Sequence, residues 1–104
     1  MSNQPISEQF RLAGKEWVEA QSAAQMLEEA KSAVLSQMMM KLGDIPKSRA
    51  EMVVKASDEW MEYITKMVEA RKTANLLQVK KVWLEMRSWE HNSEAADRRA
   101  EMKL

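Results

Sequence analysis

From Phe10 to Met38, apolar or small residues recur in steps of three and four: Phe10, Ala13, Trp17, Ala20, Ala24, Leu27, Val34 and Met38. About 3.6 residues complete a helical turn, so this spacing lays one stripe along one side of an α-helix. Lys31 falls where the stripe needs an apolar residue. Ala30 beside it covers the gap, and the lysine stem can lie along the seam with its ammonium outside. Ser7 follows Pro5 as a candidate cap, and the pattern predicts a helix over about 7–41. Lys41 in the last turn, Gly43 as a left-handed cap and Pro46 just beyond are independent stop signals, which make 42–47 a hinge.

Ser48-Arg-Ala-Glu51 reads as a capping box, and a long second helix is expected from residue 48. Its seam runs Val53, Ala56, Trp60, Tyr63, Met67, Ala70, Ala74, Leu77 and Leu84, with Ile64 alongside, and neither Gly nor Pro follows residue 46. The pattern permits one very long helix, and it also permits a break near Asn75 or at Asn92-Ser93, because Asn and Ser can begin a fresh helix. The resulting expectation is an all-α, elongated antiparallel helical hairpin in a single domain over 1–104, assembled into a helical bundle. Ala20, Ala24, Ala70, Ala74 and Gly14 allow close helix approach along the seam.

An unbroken second helix would overhang the first by many residues. The segment expected to overhang is apolar on more than one side: Leu76, Leu77, Val79, Val82, Trp83, Leu84, Met86 and Trp89. A helix of that kind needs cover on several faces. Either the chain folds back as a third helix, or a second copy covers it. The weak break signals inside the second block, set against the strong stop at Gly43 to Pro46, favour a homodimer.

Composition narrows the chemistry. The 104 residues carry 16 basic and 16 acidic side chains, so no global charge draws the protein to nucleic acid or an anionic membrane. The absence of Cys removes disulfides, thiolate metal sites and cysteine nucleophiles, and His91 is the single histidine. A bundle di-metal site needs a Glu-x-x-His motif facing inward, whereas Glu28-Glu29, Asp58-Glu59 and Glu62 stand far in sequence from His91. Glu90-His91 reads as exposed helix surface rather than a proton-transfer pair. No phosphate-binding loop, nucleophile elbow or histidine triad is present. The expectation is therefore a non-enzymatic protein without metal or cofactor. No basic leader and no apolar run of membrane-spanning length is present, so a cytoplasmic protein without a membrane partner is expected.

Three groups of residues stand out. Trp17 and Trp60 lie on the seams as core anchors, while Trp83 and Trp89 fall in the surplus apolar segment with Met86 and Arg87. Trp and Arg concentrate in binding hot spots, so these four are the expected association interface. Residues 66–87 hold six basic side chains against two acidic ones, a local excess of +4. Within it Lys72, Lys80, Lys81 and Arg87 form the candidate phosphate or nucleic-acid patch, a reading weakened by the interleaved glutamates. Met38, Met39 and Met40 lie at the hairpin tip; three consecutive residues cannot all face one core, so a partner surface is expected there.

The tail from Glu69 onward has an Ala/Arg-rich helix, an aromatic-Arg segment at Trp83 to Trp89, and Ala96-Asp-Arg-Arg-Ala-Glu101 near its end. Over this third of the chain it is similar to the ends of small helical proteins encoded by bacteriophages and prophages. The resemblance implies a phage accessory protein, encoded near replication or recombination functions, and carries over no active residues. The hinge lacks the Trp-x-Gly of secreted WXG-type hairpins. The functional expectation is a homo-oligomeric protein-protein interaction or scaffold protein with a further protein partner. A nucleic-acid accessory protein and an inhibitor of a host protein are the alternatives.

Overall fold

The computed structural model describes residues 5–102, with the side chains of His91 and of residues 94–102 outside the described set. Three helices follow one another: α1 (Ile6–Met40), α2 (Lys47–Lys55) and α3 (Asp58–Met102). Helices α1 and α3 run antiparallel as an elongated all-α hairpin. The radius of gyration is 23.0 Å, well above the roughly 13 Å of a compact 100-residue domain.

The turn out of α1 forms as its residues require. Gly43 has φ +85°, a left-handed conformation that costs glycine little, and its N–H donates to the carbonyl of Met40. Pro46 then occupies the position before α2 and contributes no backbone donor. Here two expected caps are absent. Neither Pro5 nor Pro46 gives a side-chain cap bond, so α1 starts at Ile6 without Ser7 as its cap. The Ser48 box is likewise not formed; Glu51 pairs with Lys55 one turn on, at 2.8 Å.

The chain breaks at Ala56-Ser57 rather than near residue 75 or 92. The Ser57 hydroxyl donates to the Val54 carbonyl at 2.6 Å and accepts from the Trp60 N–H at 3.2 Å. It thereby ends α2 and caps α3, while Asp58 and Glu59 place negative charge on the first turn of α3. This break shifts the helical phase. Ala50 and Val54 become the buried residues of α2, whereas Val53 and Ala56, expected on the seam, are exposed.

From Trp60 onward the expected seam is present. Trp60, Ala74 and Leu84 are buried and Tyr63, Ile64, Met67, Ala70 and Leu77 half-buried, against Ala13 and Ala24 (buried) and Trp17, Ala20, Leu27 and Val34 (half-buried) of α1. Trp60 stacks on Tyr63 with ring centroids 5.8 Å apart. The Tyr63 hydroxyl donates across the hairpin to the Leu27 carbonyl. Ala24 is 0% and Ala74 1% exposed, so the small residues of both seams lie where the helices approach closely.

Candidate association surface

The register of the hairpin follows from contacts along its length. Arg71 meets Glu28 near the middle, Lys81 meets Trp17 further on, and Lys80 meets Glu16 beside it. Near the start of α1, Pro5, Ile6 and Ser7 line one groove together with Arg87, Ser88 and Asn92. Residues 76–89 are thus paired with α1 and are not an overhang. The tip and α2 take up residues 41–57, so α3 starts close to the end of α1 and only its last turns pass beyond Ile6.

Pairing with α1 covers one side of this segment. Leu77, Lys81, Leu84 and Ser88 face α1, since they are buried or half-buried. Val79 and Met86 lie about half a turn away, Leu76, Val82, Trp83 and Trp89 flank them, and all six are exposed; Trp83 also lines a groove with Gln9, Leu12 and Glu16 of α1. Trp83 is 57%, Met86 59% and Trp89 72% exposed. Leu76, Val79, Trp83, Met86 and Trp89 follow one another in steps of three and four, with Val82 beside Trp83, so they make one continuous outer stripe.

The four expected interface residues are brought together on or beside this stripe. The Arg87 guanidinium lies 5.7 Å from the centre of the Trp83 ring, within reach of a cation-π attraction. On its other side its Nη1 is 3.7 Å from Glu90 Oε2. Arg87 is thus held at the edge of the stripe between an indole and a carboxylate.

The candidate basic patch is spread around α3. Lys81 turns inward, with Nζ 4.4 Å from the Trp17 ring centre. Lys80 is 4.0 Å from Glu16, and Arg87 is engaged as described. Lys72 lies on the outer face in line with Val79 and Met86, as the seven-residue spacing dictates. The four charges therefore do not converge on one phosphate-sized point.

At the hairpin tip the three methionines separate. Met38 and Met39 are half-buried and Met40 is exposed. Met39 and Met40 line a groove with Leu35, Lys47 and Glu51, closed on one side by α2. Part of the expected partner surface is thus covered by a helix that the sequence pattern did not separate from α3. The signal for it was Ser57-Asp58-Glu59, a capping residue followed by two acidic residues.

Among the described residues, no group of three His, Asp or Glu side chains is placed to hold a metal ion, and no helix is long and apolar enough to cross a membrane. The titrations that depart from ordinary values belong to structural ion pairs. Hydrogen bonding from Arg71 lowers the pKa of Glu28, and Arg11 and Lys55 do the same for Glu8 and Glu51. No family model matches the sequence, and neither a curated protein nor a solved structure shows significant similarity to it.

Proposed function

We propose that this protein is a non-enzymatic helical scaffold that self-associates, as a homodimer, through the outer face of α3. The observation that carries the reading is the exposed stripe centred on Trp83, Met86 and Trp89 with Arg87 at its edge. Contiguous apolar patches on monomeric proteins are usually limited to a few hundred Å². Tryptophan beside arginine is the composition most enriched among residues that dominate binding energy. The similarity of the tail to phage-encoded helical proteins extends the reading to a phage accessory protein acting in the cytoplasm, with a further protein as its downstream partner.

Solution mass tests this reading directly. Sedimentation across a wide concentration range is expected to give twice the chain mass of 12.0 kDa, falling toward the single-chain mass on dilution. A monomer at every concentration would overturn it.

A further inference from the structure

The stripe on α3 carries its own directional information. Between Leu76 and Trp89 it is flanked on one side by Lys72 and on the other by Glu90, both exposed and both aligned with it; beyond Lys72 the same face continues through the exposed Val68 and Met61. Lys72 makes no ion pair among the described residues, and Glu90 meets only the edge of Arg87, at 3.7 Å with both side chains more than half exposed. The tryptophan-bearing part of the apolar surface is thus flanked by opposite charges.

Resting on the association reading above, we infer that the occupant of this face is a second copy of the chain, packed with its α3 antiparallel to the first. The twofold axis passes near residue 81. About that axis Lys72 of each copy meets Glu90 of the other, with Trp89 of the second copy beside the lysine. Leu76 then falls opposite Met86, and Val79 opposite Trp83. In a parallel, in-register pairing Lys72 would face Lys72 and Glu90 would face Glu90, and like charges directly opposite are unfavourable. The antiparallel pairing replaces both repulsions with attractions. It also sets the two helix dipoles in opposition.

Exposure and position agree with this occupant. The six stripe residues are each 45–72% exposed, the kind of open apolar face that an interface taking about 800 Å² from each partner covers. Helix α3 spans Asp58–Met102, so an axis near residue 81 lies close to its midpoint. The two copies of α3 overlap along nearly their whole length, and each α1 stays on the outside. The assembly is a layer of four helices with its hairpin tips at opposite ends.

The test uses the full chain, whose lack of cysteine permits a single labelling site at Lys66→Cys on the exposed flank of α3. Spin-label distances in the dimer are expected near 45 Å, since fifteen residues separate the site from the axis on each copy at about 1.5 Å per residue. Lys72→Glu and Glu90→Lys, each alone, should weaken dimerisation about tenfold at low salt, and an equimolar mixture of the two should recover it. Dimers with labels about 10–25 Å apart, close to one or two helix diameters, would overturn the antiparallel arrangement while leaving self-association intact. Single reversals that leave dimerisation unchanged would overturn it as well. A labelled chain and a native chain that both stay monomeric would remove the association reading itself, and a foreign partner would then take the stripe.

Discussion

The guanidinium of Arg71 grips the carboxylate of Glu28 with two hydrogen bonds, Nε to Oε2 at 2.8 Å and Nη2 to Oε1 at 2.6 Å. The forked geometry matches the planar carboxylate and accepts little displacement of one helix along the other. With Tyr63 donating to the Leu27 carbonyl nearby, this pair pins the register of α1 against α3. That register in turn fixes which side of residues 76–89 remains outside.

The pair makes register strength depend on pH. The Arg71 hydrogen bonds hold the Glu28 carboxyl below its ordinary value of 4.5, so the folded state favours the ionised form. Its stabilisation is present in full above the unfolded value and is lost as pH falls through the lowered folded value. Thermal melts of Glu28→Gln and the native protein should therefore differ at neutral pH, with the native protein more stable. The gap should narrow steadily as pH falls below about 4.5. A gap of constant size down to strongly acidic pH would show that the carboxylate charge does not contribute.

Ser57 is the joint between α2 and α3, with its hydroxyl bonded on both sides. Ser57→Ala should cost about 1 kcal/mol, the usual loss for a helix cap. Ser57→Asp, which keeps the acceptor for the Trp60 N–H, should recover most of it. Denaturant melts of the two variants read this difference directly. Equal stability of the alanine and aspartate variants would assign the break to tip packing instead of to the cap.

Ala74 and Ala24 are almost wholly buried between the contacts that set the register. A larger side chain at either position must separate the helices or adopt a strained rotamer, at a cost of about 1–3 kcal/mol. Ala74→Leu should lower the melting temperature by several degrees, whereas Ala23→Leu, on the exposed side of α1, should leave it nearly unchanged. Similar melting of the two variants would contradict the close approach.

The outer stripe predicts the opposite combination of effects. Trp83→Ala with Trp89→Ala removes two exposed indoles and touches no buried seam residue. Helical content should remain close to native while association weakens at least tenfold, the behaviour of a lost binding hot spot. Circular dichroism and sedimentation on the same sample provide both readouts. Unchanged mass with lowered helicity would place the tryptophans in the fold rather than in assembly.

Much of this architecture was legible in the residues themselves. The three-and-four spacing from Ala13 to Val34 and from Trp60 to Leu84 can bury one face only in a helix, and Gly43 with Pro46 can only interrupt one. Those facts are local, so they survive without knowledge of what the helices touch. The surplus of apolar side chains between Leu76 and Trp89 was equally visible, as was its grouping with Arg87.

The tertiary structure decided phase and register. Ser48 is followed by one acidic residue, Glu51, and Ser57 by two, Asp58 and Glu59, and of the two only Ser57 caps a helix, in an arrangement that buries Ala50, Val54 and Trp60 together at the tip. The same break moves the start of α3 back toward the end of α1 and turns an expected overhang into a paired segment. Which half of that segment faces solvent then depends on Arg71 meeting Glu28 and Lys81 meeting Trp17, contacts between residues more than forty positions apart. Periodicity can say that a helix has an apolar side. It cannot say how far along a neighbouring helix that side will rest, because that choice is made by the fit of side chains across the seam.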